Sequence, residues 1–344
     1  MADKNKKSGS ITGSGDKKAA DNQISSTVPT ISVPKGGGAI RGIGEKFAAN
    51  PVTGTGSLSV PIFTSPGRSG FGPQLSLSYD SGSGNGPFGF GWSLTLPSIT
   101  RKTDKGLPRY QDYSESDEFI LSGAEDLVPV FKKGADGNWV LDPNGNLKID
   151  EEVRDGYMVR CYRPRIEGLF ARIERWTRKT DGDVHWRSIS KDNIITIYGR
   201  DEKSRIADPS NKSKIFSWLI CESYDDKGNA ILYKYIAENE NGIDLSQANE
   251  RNRLRTANLY LKRIYYGNRK PLLLDITKPS FRKSNIEQTD LSTADWMFEL
   301  VFDYGEEYYT LLPWDESKLE TEQHRLVQVT ASDTGTWLVR PDPF

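Results

Sequence analysis

Apolar and polar residues alternate with a period of two along much of this chain. In GSLSVPIF, Leu58, Val60 and Ile62 alternate with Ser57, Ser59 and Pro61; in QLSLSYD, Leu75, Leu77 and Tyr79 alternate with Ser76, Ser78 and Asp80. Successive strand residues point to opposite faces, so this pattern predicts half-buried strands. EFILSGAEDLVPVF predicts a hairpin around Ser122-Gly123, and NWVLDPNGNLKID one that turns at Asn144-Gly145, a pair suited to the left-handed backbone of a tight turn. In FSWLICESYDDKGNAILYKY, Trp218, Ile220 and Tyr224 precede a Lys227-Gly228-Asn229 turn, and Ile231, Tyr233 and Tyr235 follow it. YLKRIYYGN and DWMFELVFDYG extend the series. A helix is predicted only around Ser246 to Ala257, with Ser246 as its cap. The expected fold class is mainly β: multiple antiparallel hairpins forming a twisted, curved sheet or sandwich, with very little helix.

The pattern is absent from residues 1–27, which lack aromatics and are rich in Lys, Ser, Gly and Asp. Such a segment buries too little apolar area to offset its ordering entropy, and a disordered tail is expected. Residues 28–344 read as one β-rich domain, with a glycine-rich opening segment over 28–92 and a hairpin-rich remainder over 93–344. Fifteen of the 32 glycines fall between Gly36 and Gly91, where they mark turns or close backbone approach.

Composition adds limits. Only 35% of residues are apolar, yet 8 Trp, 15 Tyr and 13 Phe supply large packing areas. Lys+Arg 46 against Asp+Glu 47 leaves a net charge of -1, which argues against a nucleic-acid partner. No apolar run is long enough for a membrane span. Met1 to Thr30 holds no apolar core of a secretory signal. A protein released to the outside would therefore use a route without that signal, after residing in the cytoplasm of the producing cell.

Candidate chemistry is sparse. Gly84, Gly86 and Gly89 in GNGPFG match G-x-G-x-x-G, but Pro87 removes an amide and Phe90-Gly91-Trp92 leads into a strand, where a dinucleotide site needs a helix. Asp142, Asn144 and Asn146 imitate the start of a calcium loop, with Leu147 in place of the required glycine and Val153 in place of the closing glutamate. His185 and His324 have no second ligand at metal spacing. Glu238-x-Glu240 and Glu320-x-Glu322 echo the glutamate pair of ADP-ribosyltransferases, without the Ser-Thr-Ser strand that should precede it. Cys161 and Cys221 read as small buried hydrophobes, with one structural disulfide as the alternative. No catalytic, cofactor-binding or metal-binding residue is expected, and no cofactor.

Several stretches, in order, resemble one family. They are SVPKGGGAIRGIGEKF, PGRSGFGPQLSLSYDSGSGNGPFGFGWSLTLPSITRKTDKGLPRY, DEFILSG, YRPRIEGLFARIERW, HWRSIS, ADPSNKSKIFSWLICESYDDKGNAILYKY, YLKRIYYGNR, DWMFELVFDYGE and GTWLVRPDPF. Together they resemble the SpvB-type amino-terminal domain of Salmonella virulence proteins and of the B component of insecticidal toxin complexes. The resemblance implies a non-catalytic structural module that opens a longer toxin. Its partners would be a propeller, an RHS shell and a C component, which enclose and deliver a cytotoxic effector. Two other readings stand beside this one. The chain is part of an actin-modifying ADP-ribosyltransferase whose catalytic domain is absent here, or it is a carbohydrate-binding β module with exposed Trp and Tyr as stacking surfaces.

Overall fold

Alternating side chains and glycine turns become strands and hairpins throughout the computed structural model. It describes residues 46–50, 54–114, 116–122, 125–166, 171–238, 244–272, 291, 294–304, 308–310 and 327–329. The expected tail 1–27, together with Glu240, Glu320, Glu322 and His324, lies outside them. A small antiparallel sheet takes β1 (Lys46–Asn50), β2 (Thr55–Ile62), β3 (Leu75–Asp80) and, beyond the hairpin of β4 (Asn85–Gly86) and β5 (Gly89–Phe90), β6 (Trp92–Leu94). Val60 pairs Leu77 and Leu58 pairs Tyr79, so the period-two residues share one face.

The larger sheet begins with β7 (Ser98–Arg101), β8 (Phe119–Leu121), β9 (Glu125–Pro129), β10 (Glu151–Arg154) and β11 (Tyr157–Pro164). It continues through β12 (Arg172–Arg178), β13 (Val184–Ile189), β14 (Ile195–Tyr198), β15 (Arg205–Asp208) and β16 (Asn211–Tyr224). β17 (Ala230–Ala237), β18 (Leu259–Asn268) and β19 (Trp296–Val301) complete it, and β20 (Tyr308–Thr310) pairs β21 (Val327–Val329) separately.

The sheet closes on itself. Strands pair in the order β14-β13-β12-β11-β9-β8-β7-β16, and β16 pairs back onto β14, giving an eight-stranded antiparallel barrel. β16, with 14 residues, makes this possible by changing partners along its length. Ser217–Leu219 bond β7 on one side, while Ile220–Tyr224 bond β14 on the other. Past the barrel, Glu222–Tyr224 carry the sheet on to β17, then β18 and β19. The expected curved sheet is thus a closed one with an open wing.

Eight strands enclose a space that side chains fill. Phe119, Tyr162, Trp186 and Trp218 come from four different barrel strands and meet there: ring centroids lie 4.9 Å apart for Phe119–Trp186 and Tyr162–Trp186, and 5.9 Å for Phe119–Trp218. Ile99, Ile173, Trp186 and Trp218 are wholly buried. Leu75 of the small sheet and Tyr233, Ile264 and Tyr266 of the wing belong to the same apolar cluster, so one continuous core joins the three parts.

The helix expected around Ser246 to Ala257 is not formed. Asp244 accepts bonds from the Ser246 amide (2.9 Å) and hydroxyl (2.6 Å), which closes a turn in place of a cap. Only Arg255–Ala257 coil, as a 3-10 turn. Leu254 is exposed, and buried Arg255 pairs Glu250 at 2.5 Å. With no apolar stripe to bury, helical hydrogen bonds lose to side-chain turns.

Gly199, just after β14, has φ +61° and donates to the Leu219 carbonyl at 2.8 Å, and a Cβ there would lie 2.3 Å from Trp218. Gly199→Ala should therefore cost about 3 kcal/mol or more, from left-handed strain plus overpacking. Gly137→Ala, with φ +81° and open space around it, should cost about 1–2 kcal/mol. Chemical denaturation checks the order; equal losses would contradict the barrel seam.

Candidate functional site

Inside the barrel, β7 and β12 each carry an arginine on the core side. Arg101, 1% exposed, donates Nε to the Ile215 carbonyl (2.7 Å) and Nη1 to Asp112 (2.6 Å) and Asp117 (2.7 Å). Its Nη2 reaches Asp112 at 2.9 Å, and its guanidinium lies 5.2 Å from the centroids of both Phe119 and Trp218. A buried cation with a bidentate carboxylate and aromatic walls meets the condition under which burial of charge is tolerated. Arg101 thereby ties the β7–β8 connection to the barrel. Burial would raise the Asp117 carboxyl, but amides of Arg109 and Tyr110 and the charge of Arg101 outweigh it and hold Asp117 below the ordinary carboxylate range. Arg175 packs between Phe119 (5.6 Å) and Tyr162 (5.5 Å) and donates to the Asp112 carbonyl at 3.3 Å.

The opposite face of the same wall is also buried and also polar. Registers place Glu174 opposite Arg187 and Trp176 opposite His185. Glu174 accepts from the Trp176 indole at 2.8 Å and pairs Arg172 at 2.6 Å. The Arg187 guanidinium sits 3.6 Å above the Trp176 ring, and its Nε donates to His185 Nε2 at 3.2 Å. Beyond β14, Glu222 accepts from Arg200 (2.6 Å) and from the Tyr224 hydroxyl (2.8 Å). Burial, followed by the charges of Arg187, Arg200, Arg205 and Arg178, pushes His185 well below its usual value, so the ring is neutral and its acceptor nitrogen is used. These acids and bases hold one another; they are engaged in fixing the sheet.

The residues singled out by sequence fall mostly into structural roles. Gly86 pairs Gly89 in the β4–β5 hairpin, and Gly89 (φ +107°) and Gly91 (φ +77°) need the freedom of glycine. A Cβ on Gly91 would meet the Tyr79 ring at 2.5 Å. The segment leads into β6, as its pattern implied, and not into a helix. The Asp142 carboxylate accepts amides of Asn144 (2.9 Å) and Asn146 (2.8 Å), so the calcium-like motif is a hairpin turn. Glu238 bonds the Tyr260 hydroxyl and pairs Arg253 at 2.7 Å. Cys161 and Cys221 are free thiols, which removes the disulfide alternative. Burial pushes the Cys221 thiol up to about 12, and Sγ lies 3.3 Å from the Ile197 carbonyl. Among the described residues no group of three or more His, Cys, Asp or Glu is placed to hold a metal. None of their helices is long and apolar enough to cross a membrane. Sequence reasoning missed Arg101, Arg175, Glu174, Arg187 and Glu222; for Arg175, Glu174 and Arg187 the one signal is charge set beside an aromatic, as in RIERW and HWRS, and Arg101 in SITRK carries no such signal.

The fold is a mainly β barrel whose buried charges bond within its own wall. Residues 50–344 match the family described as Salmonella virulence plasmid 65kDa B protein, and the chain belongs to that SpvB family. A Mono(ADP-ribosyl)transferase SpvB of Salmonella choleraesuis (strain SC-B67) is 35% identical over 314 residues, covering 91% of this chain and 46% of that protein. The chain thus spans about half the length of the curated relatives it matches. The crystal structure of TcdB2-TccC3 shares the fold with a TM-score of 0.59 and 34% identity, over 83% of this chain and 13% of that one. The N-terminal domain of effector protein SpvB from Salmonella typhimurium strain LT2 matches with a TM-score of 0.55 and 35% identity, over 72% of this chain and 73% of that domain.

Since His185 is depressed in the folded state, the unfolded chain takes up the proton first, and stability should fall as pH drops below about 6.5. The slope from this group is at most about 1.4 kcal/mol per pH unit. His185→Gln should flatten the decline between neutral pH and the folded-state value; an unchanged slope in urea titrations would contradict the assignment. Removing the Arg101 charge by Arg101→Leu strands Asp112 and Asp117 and should cost about 3–5 kcal/mol, read as a lower denaturation midpoint.

Proposed function

We propose that this chain is a non-catalytic structural module of a bacterial toxin. In this reading it helps to build the chamber that encloses and delivers a cytotoxic effector. It does so with other toxin modules (an RHS shell, a propeller and a C component) supplied by the same or separate chains, and it acts after release from the producing cell. The observation that carries the proposal is the recurrence of this fold in two different settings. It occurs in a protein named for ADP-ribosyl transfer, of which the chain covers 46%, and in TcdB2-TccC3, of which it covers 13%. What such different chains have in common is this fold, and both that recurrence and the local chemistry support a building role. The buried charges Arg101, Glu174, Arg187 and Glu222 are engaged within the barrel, and Glu238 is held by Tyr260 and Arg253.

The competing reading, transferase activity within this chain, is tested directly. In a labelled-NAD assay with actin as acceptor, the chain should score at background, and Glu238→Gln with Glu240→Gln should leave that unchanged. Transfer abolished by the substitutions would overturn the proposal. Grafted in place of the matching segment of TcdB2-TccC3, the chain should yield a folded, protease-resistant assembly. Persistent degradation of the graft would count against a building role.

A further inference from the structure

Between β9 and β10 the chain leaves the barrel wall for residues 130–150, and an eight-residue repeat governs the excursion. Phe131, Trp139 and Leu147 are spaced by eight, as are Lys132, Val140 and Lys148, and the turns GADGN and DPNGN stand in register. The backbone follows the repeat. Val140 donates to the Lys132 carbonyl (3.0 Å), Lys148 to Val140 (2.9 Å) and Lys132 to Lys148 (2.8 Å), so three short segments bond in a triangle. Gly134 and Asp142 each accept from and donate into their own turn in the same way: Gly134 N to Asn138 O and Asp142 N to Asn146 O, both 2.8 Å. A second triangle, Val130 to Cys161, Asp150 to Val130 and Cys161 to Asp150, roots the knob in β11.

This knob satisfies its polar groups but not its apolar ones. Asp136 and Asp142 accept the amides of their own turns. Trp139, Leu141 and Leu147 are 50%, 57% and 42% exposed, and Val153, just beyond on β10, is 59% exposed. Leu141 pairs Leu147 directly, and the Lys133 ammonium lies 4.6 Å from the Trp139 ring centroid, which restrains the indole. A braced Trp flanked by two Leu on a rigid projection has the make-up of an interface anchor. Charges of both signs surround it, Lys132, Lys133 and Lys148 with Asp136 and Asp142. That mixture fits a protein surface better than an anionic bilayer, which calls for a basic cluster. The knob also lies inside the residues matched to the family, whose solved relative TcdB2-TccC3 is a chain of which this one covers 13%, so most of that polypeptide is available as an occupant.

We infer that the knob docks the barrel against the neighbouring module of the toxin assembly, with Trp139 seated in an apolar pocket of that module. The inference rests on the structural role proposed above. Its test uses the graft into TcdB2-TccC3, with Trp139→p-benzoylphenylalanine as a photo-crosslinker. Crosslinks from position 139 should map to peptides outside the grafted segment. Leu141→Ser with Leu147→Ser should leave the melting temperature of the isolated chain unchanged, since both side chains are half in solvent, yet shorten the protease half-life of the graft about tenfold. A graft that assembles while position 139 links only within the segment overturns the inference and leaves the structural role intact. Links to a second copy of the isolated chain, or Trp139-dependent binding to phosphatidylserine vesicles, overturn it as well. A graft of the unaltered chain that never assembles removes both the role and the inference.

Discussion

A ring of eight antiparallel strands has an interior that its own inward side chains must fill, and that constraint organises this molecule. The ring exists because β16 is long enough to bond β7 with one stretch and β14 with the next. At the seam the Trp218 indole donates to the Val184 carbonyl at 2.9 Å, Gly199 makes room for its ring, and Arg205 bonds the Gly199 carbonyl at 2.6 Å and Asp183 at 2.5 Å. Once closed, the interior needs wide, flat groups. Phe119, Tyr162, Trp186 and Trp218 supply them, and two arginines occupy the space between the rings, Arg101 paired with Asp112 and Asp117 of the β7–β8 connection and Arg175 bonded to the Asp112 carbonyl.

The consequence for function follows from which groups remain uncommitted. In a catalytic cleft, titratable residues converge on open space with perturbed protonation. Here His185, Asp117 and Cys221, among the perturbed groups, are perturbed by burial and by partners of the barrel itself. The excursion between β9 and β10 instead presents Trp139, Leu141 and Leu147 to solvent. A rigid wall with anchoring projections suits a part that other modules build on.

Strands with one solvent face were legible in the sequence. Leu58–Ile62 and Leu75–Tyr79 were readable because period-two alternation survives wherever one face stays polar, while the hairpin across Lys227-Gly228-Asn229 was readable from its turn residues although Cys221–Tyr224 and Ala230–Tyr233 are buried on both faces. Closure was not legible. β12 and β13 are buried on both faces, so Glu174, Arg175, His185 and Arg187 look like solvent-facing positions although each is at most 5% exposed. Charge in a sequence signals solvent unless a partner is known; Glu174, His185 and Arg187 find theirs within β12 and β13, Arg175 reaches back to the Asp112 carbonyl, and none of these pairings shows in the pattern. The helix expected at Ser246–Ala257 shows the converse: residues with adequate local propensity, but no stripe to pack, formed turns around Asp244. The eight-residue repeat of the knob was written in the sequence, yet only the triangle of hydrogen bonds gives it meaning.

A self-supporting wall requires that the barrel be closed in the chain by itself. Hydrogen–deuterium exchange of the isolated protein addresses this directly, because amides in one cooperative unit share the opening free energy of that unit. The Ile220–Tyr224 and Ile195–Tyr198 amides that bond across the β14–β16 seam should exchange as slowly as those of β12 and β13 in the middle of the wall. Rapid exchange at the seam alone, with the rest of the sheet protected, would mean an open sheet and would contradict the account.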